Sequence, residues 1–307
     1  CQLISLDTKH IIALVKENNP KAYVKKDRFS KDKQPTGDPD CKLGCKRRHN
    51  RKLSTPTTNS VPYTTLSIGE YYWGYGSGVV ATKIPGWGEF VLAELTQPFN
   101  KGDTTYFFPL MNDTERRLGF RPRFGAFDAA FDAFYVYEHF ASPDHDGFAA
   151  VPFSEKGSTK NRQFDTEGKP LCQAELPMTV KTNYTDRTKS IIIHKRTRYA
   201  CPLYPQSTGE TCPVNHERWI HGGCTTDLPA SVGARIRYQL DRDSDAYKDI
   251  YKHRSATERI NSQAVDLGIE RPRLRNGRAI ANLNTLIYAL INLRALHRII
   301  RRKSLNS

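Results

Sequence analysis

The 307-residue chain is predicted to be a mixed α/β protein on three observations. An apolar run at residues 2–7 ends in an acid, two β-like runs at 71–84 and 89–95 flank a Pro85-Gly-Trp-Gly turn, and near the C-terminus Ile280, Leu283, Ile287, Leu290 and Ile291 recur on one helical face. With 38% hydrophobic and 10% aromatic residues the chain can bury a sizeable core, which excludes a wholly disordered protein. No internal repeat is present, which excludes a solenoid.

Taken in order, Gln2-Leu-Ile-Ser-Leu-Asp7 reads as a strand that delivers Asp7 at its C-terminal end. Residues 18–62, dense in Lys, Asp, Pro and Asn, have no sustained period and read as a long basic loop or small subdomain. The paired strands follow, then a polar helical connection around 112–118 and a further strand over 123–128. From Phe127 an aromatic-rich segment runs into a helix, with Asp128 at the strand end, where a carboxylate suits a helix start. Residues 145–235 change texture to short β-like runs such as Ser190-Ile-Ile-Ile-His and read as a β-rich, Cys-containing insertion. A helix over 251–264, a Pro/Arg loop and a final helix from about Ala279 complete the chain. The organisation is therefore 1–144, 145–235 and 236–307. Gly74-Tyr-Gly-Ser-Gly lacks the Lys-Ser/Thr of a phosphate loop and reads as a tight backbone bend. Trp73 and Trp87 are expected in core or on sheet surface.

Charge is placed unevenly. Residues 1–60 hold 14 Lys/Arg against 6 Asp/Glu and residues 271–307 hold 9 against none, so the ends carry +17 and the middle −2. Basic flanks around a near-neutral centre suit a protein that grips phosphates, with strongly salt-dependent binding, and nucleic acid is the expected partner. No membrane partner is expected, because no apolar run approaches the ~18–20 residues of a spanning helix. With no charged-then-apolar leader the chain reads as cytoplasmic, and its Cys1 start leads us to expect lost residues upstream.

Seven cysteines at clustered spacings suit thiols or a metal better than a disulfide framework, which makes the Asn183-Tyr-Thr sequon a chance match. Cys201, Cys212, His216 and Cys224 form a Cys3His set of the kind that closes around structural Zn²⁺, with His221 competing for the His216 position and plain buried thiols as the alternative. Cys41, Cys45 and His49 form a partial set amid Lys46-Arg-Arg-His and read as a basic loop touching DNA.

At 100° per residue, a helix over 251–264 puts Tyr251, Arg254 and Glu258 within about 60° of one another. An ordinary Arg254–Glu258 pair, worth a few tenths of a kcal/mol, would explain two of them. Asp7, Asp128 and Glu258 are three acids from separate elements, of the kind that hold two hard cations for phosphodiester chemistry.

Tyr251, Arg254 and Glu258 match the Tyr-x2-Arg-x3-Glu-x6-Lys signature, and the chain resembles the DDE transposases of bacterial insertion sequences. Supporting blocks are Leu6-Asp-Thr-Lys-His, Phe127-Asp-Ala-Ala-Phe-Asp and the tail from Glu258-Arg-Ile-Asn-Ser through Arg271-Pro-Arg-Leu-Arg-Asn-Gly-Arg. The resemblance implies a ribonuclease-H-like mixed sheet flanked by helices, with the β-rich insertion preceding the helix of the last acid. It implies Asp7, Asp128 and Glu258 as ligands of two Mg²⁺ ions, with Mn²⁺ as substitute, serving cleavage and strand transfer. Tyr251, Arg254, Lys9, Arg271, Arg273 and Arg275 would contact double-stranded DNA, in a homodimer on paired transposon ends, in a bacterial, nucleoid-associated setting. Asp132, four residues after Asp128, competes with it for the middle position. The signature's Lys falls at Val265, which cannot bind a phosphate; a weakened copy, or a zinc-stabilised DNA-binding protein without chemistry, is the reading that follows from this departure. A plain nuclease that never joins strands is a third.

Overall fold

The computed structural model describes residues 2–19, 28–47, 69–141, 146–154, 162–187, 191–204, 211–214 and 219–305. In chain order its elements are β1 (Leu3–Ile12), β2 (Lys42–Arg47), β3 (Gly69–Ile84), β4 (Gly88–Pro98), α1 (Phe107–Leu118), β5 (Phe124–Ala126), α2 (Phe134–Phe140), β6 (Phe148–Ala150), β7 (Thr179–Asp186), β8 (His194–Ala200), β9 (Thr225–Pro229), α3 (Val232–Gln239), α4 (Asp245–Tyr251), α5 (Ser255–Asp266) and α6 (Gly277–Leu305). Strands of mixed direction with flanking helices make this an α/β protein. Two compact units divide it: Cys1–Ser5 with Gly119–Arg254, and Leu6–Leu118 with Ser255–Ser307.

In the unit built on Leu6–Leu118, β3 pairs antiparallel with β2 over its first residues and with β4 over the rest. The β3–β4 turn is the one anticipated at Pro85-Gly-Trp-Gly: Ile84 faces Gly88, and Gly86 and Gly88 take φ of +75° and +124°, which glycine tolerates without a Cβ clash. Gly76 and Gly78 serve another purpose. They lie within β3, and a Cβ on either would fall 2.4 Å from an atom of Tyr106, so this glycine run is a seat for an aromatic ring rather than the bend predicted from sequence.

The core of this unit gathers Ile11, Trp73, Tyr75, Val79, Ile260, Ala264, Ile280, Ile287, Tyr288 and Ile291. Each large apolar side chain so buried contributes roughly 1.5–3 kcal/mol against exposure. Buried Trp73 is a core residue as anticipated, whereas Trp87 is exposed under Lys303. Within the predicted basic loop, β2 is a paired strand because Leu43 and the preceding Cys41 reach into this core, while residues 20–27 and 48–62 of that loop lie outside the described residues.

Helix α6 corrects the expectation that no apolar run reaches spanning length: by length and composition 277–304 could cross a bilayer, since it contains an 18-residue window of mean hydropathy 1.3, one third (33%) of it buried. One face packs onto β4. Asn292 accepts from the Val91 N–H and donates to its carbonyl, both at 2.8 Å, and Asn284 donates to Thr96 Oγ1 at 2.7 Å. Leu290, read as part of the packed face, is instead 40% exposed, because Ile287 and Ile291 complete the contact.

In the unit built on Gly119–Arg254, the first residues of β1 pair in parallel with β5, and β5 in parallel with β6. Here β7, β8 and β9 form a separate antiparallel sheet. The apolar run Ile191–Ile193 is not its strand, contrary to the sequence reading. Pairing of His194 with Asp186 starts β8 after that run, leaving Ile193 70% exposed.

Candidate functional site

Asp7 does not end its strand as predicted. It sits midway along β1, which continues to Ile12 because Ile11 buries and the Ile12 N–H donates to the Glu270 carbonyl at 2.9 Å. The half-buried carboxylate is fixed by its own hydrogen bonds. Its Oδ1 accepts from the Thr8 N–H at 2.8 Å and its Oδ2 from Asn261 Nδ2 at 3.0 Å.

Asn261 comes from α5, whose two faces follow its sequence. Ala256, Thr257, Ile260 and Ala264 bury, while Glu258, Asn261, Ser262 and Val265, at i, i+3, i+4 and i+7, line an open cleft. An ion pair from Arg259 to Glu89 on β4, at 2.7 Å, pins the helix. The cleft, of roughly 390 Å³, is completed by Asp7, Thr8, Lys9, His10 and Lys46. Two carboxylates therefore share it with two ammonium groups. Burial holds the His10 pKa below its ordinary value, which favours the neutral ring, and its Nδ1 is buried without a protein partner. Buried Asn261 Oδ1 also has no protein partner, leaving a hard oxygen acceptor beside Asp7. Lys9 pairs with Glu270 at 3.5 Å.

Asp128 belongs to the other unit and follows β5, as anticipated. It caps a short 3₁₀ turn, Ala129–Phe131, by accepting the Ala130 N–H at 2.9 Å. The segment is not one helix running from Asp128, so Asp132 is not a helical turn beyond it. Asp132 ends the 3₁₀ turn and is sealed in: it accepts from Arg237 Nε at 2.7 Å, from Tyr137 Oη at 2.8 Å and from the Ser154 N–H at 2.8 Å, with its side chain 1% exposed. A carboxylate so fully used is a structural residue.

The predicted helix over 251–264 is broken. Tyr251 closes α4, residues Lys252–Arg254 form a 3₁₀ turn, and α5 starts at Ser255. The stripe of Tyr251, Arg254 and Glu258 on one continuous α-helix is thus corrected. Tyr251 stacks on Tyr247 with centroids 5.7 Å apart, and the Arg254 guanidinium lies 5.9 Å from the Tyr251 ring. Glu258 falls in the exposed first turn of α5, where a carboxylate is favoured by the helix dipole. Arg271, Arg273 and Arg275 are exposed in the loop before α6. Val265 does line the cleft with Glu258.

Cys201, Cys212 and Cys224 lie in one unit, whereas His216 lies outside the described residues. His221 ends a 3₁₀ turn, Trp219–His221. Cys41 is buried before β2, donates its thiol to the Asp38 carbonyl at 3.3 Å, and has its pKa pushed up to about 12, first by burial and then by Asp38. Cys45 is exposed on β2, and His49 lies outside the described residues. Among the described residues no three His, Cys, Asp or Glu side chains are gathered as a ready metal centre.

Asn261 and His10 were not singled out from the sequence, and Lys46 was noted only within a basic loop. The signal for Asn261 was present, since it lies three residues beyond Glu258 on the same helical face. No family model, curated protein or solved structure matches the chain.

Proposed function

We propose that this chain is a DDE-type DNA transposase with a ribonuclease-H-like core, cutting transposon ends and joining the freed 3′ ends to target DNA. The observation that carries the reading is one cleft in which Asp7 from β1 and Glu258 from α5 face Lys9 and Lys46. Carboxylates beside cations suit a site that takes a phosphodiester together with divalent metal. The donor set fits Mg²⁺, because Asp7, Glu258 and the unpartnered Asn261 Oδ1 are all hard oxygens. When bound, two such ions would supply charge neutralisation and an activated water; Asp128 is the third proposed ligand.

The chain's own groups then have separable tasks. The Thr8 N–H and Asn261 amide hold the Asp7 carboxylate in one orientation. Lys9 and Lys46 attract the phosphate, and exposed Arg271, Arg273 and Arg275, with Tyr251 and Arg254, extend the grip along double-stranded DNA. Homodimerisation on paired ends and a bacterial, nucleoid-associated, cytoplasmic setting belong to the same proposal. A second reading is a DNA-binding protein without chemistry, favoured by one observation: Val265 occupies the cleft wall where the signature carries Lys.

A cleavage and joining assay on labelled end fragments, in Mg²⁺ or Mn²⁺, separates the readings. Wild type is expected to nick and join while Glu258→Gln binds DNA but does neither. Binding without nicking by wild type selects the second reading, and nicking without joining selects a plain nuclease.

A further inference from the structure

Helix α6 is 29 residues long and lies wholly in the unit built on Leu6–Leu118. One side is spent on that unit's core through Ile280, Ile287, Tyr288 and Ile291. The other side carries Leu286, Leu293, Leu296 and Ile300, which are 68%, 60%, 47% and 58% exposed. A single exposed leucine is ordinary on a protein surface, whereas a contiguous apolar stripe marks a place of contact.

The order of residues along the stripe points to the kind of partner. Leu286, Ala289, Leu293, Leu296, Ile300 and Lys303 follow one another at steps of 3, 4, 3, 4 and 3, which are the a and d positions of a heptad repeat. Lys303, at the last d position, lies with its ammonium 5.2 Å from the Trp87 ring. The e and g positions beside the seam are Thr285, Leu290, Asn292, His297, Ile299 and Ser304, with no Lys, Arg, Asp or Glu among them. Arg294, Arg298, Arg301 and Arg302 fall at b, c and f, off the seam. An identical helix therefore meets no like charge along the seam, while an acidic helix or an anionic lipid surface finds no flanking cation there to pair with.

We propose that α6 pairs with α6 of a second copy of this chain, antiparallel, in a dimer that forms without DNA. Charge sets the direction. The last two turns hold Arg298, Arg301, Arg302 and Lys303, and α6 contains no acid. Parallel pairing would bring these basic ends side by side, whereas antiparallel pairing separates them and opposes the two helix dipoles. A two-fold axis near Leu293, the midpoint of the apolar stripe, then sets Leu286 near the partner's Ile300. The inference stands apart from the transposase reading, because the dimer is measured with no DNA present.

The test is sedimentation velocity of the full chain over a concentration series. Wild type is expected to dimerise, Leu293→Met to do the same, and Leu293→Glu to raise the dissociation constant roughly 100-fold or more while keeping the wild-type circular dichroism. Arg298→Glu, at an f position, should leave the dimer intact. If Leu293→Glu does not fold, Leu286→Gln combined with Ile300→Gln gives the same reading. Direction is read by oxidative cross-linking in a Cys45→Ser background: Leu286→Cys and Ile300→Cys in one chain should join two copies, and either alone should not exceed that background. Wild type monomeric at every concentration, a dimer that survives Leu293→Glu, or a monomer that instead sediments with phosphatidylserine vesicles would each overturn the dimer, and cross-linking by each single thiol alone would overturn its antiparallel arrangement.

Discussion

Asn261 donates its side-chain amide to Asp7 Oδ2 at 3.0 Å, linking the middle of β1 to α5 across 254 positions of sequence. The other Asp7 oxygen is held by the Thr8 N–H, so the carboxylate has one orientation, and Asn261 Oδ1 remains as an acceptor at the same place. Removing a hydrogen-bond partner that orients a metal ligand typically costs 10–100-fold in affinity or activity. Asn261→Ala should therefore lower nicking about 10-fold or more and move the Mg²⁺ midpoint upward in a titration. An unchanged midpoint would show that Asn261 does not position Asp7.

Asp128 and Asp132 should separate by stability. Asp132→Asn leaves Arg237 buried opposite a neutral amide, and breaking such a pair costs about 3–5 kcal/mol, a loss readable in a denaturant midpoint. Asp128→Asn retains an N-cap oxygen and should leave that midpoint within about 0.5 kcal/mol while abolishing nicking. The reverse pattern would exchange the roles of the two acids.

His10 should make the protein acid-sensitive. Its ring lies 4.5 Å from Phe99, and burial, the largest influence, lowers its pKa below the ordinary 6.5. The unfolded chain then binds the proton more readily than the folded one. The stability present above pH 6.5 is lost as pH falls from 6.5 through the lowered folded value. Thermal midpoints measured across this range should fall for wild type and change less for His10→Gln. Equal slopes would assign the acid sensitivity to other groups.

Val265 is half-buried at the cleft wall, beside the core that includes Ile260 and Ala264. A lysine there can bury its methylenes along that wall and bring its ammonium into the cleft. Val265→Lys is expected to raise strand transfer several-fold at equal protein concentration, and no gain would make the departure from the signature irrelevant to activity.

Periodicity alone located several elements. The β3–β4 hairpin was legible because two β-like runs flank a glycine-bearing turn whose positive φ few other residues accept. The C-terminal helix was legible because its packed face repeats at helical intervals, and Glu258 with Val265 shared a cleft wall because they are one i, i+7 step apart. The interruption at Lys252–Arg254 was not legible, since a 3₁₀ turn leaves no mark in a spacing count.

What the sequence determined by itself is therefore local: the α/β composition, the hairpin, the amphipathic helices and the basic ends. Tertiary structure decided which polar atoms meet. That Asp132 is spent on Arg237, that Asn261 reaches Asp7, and that Cys172 and Cys224 pack against one small core depend on backbone brought together across 105, 254 and 52 positions respectively. No local propensity encodes such distances; burial of the shared cores sets them, and the polar groups then find partners because leaving them buried and unpaired would cost more.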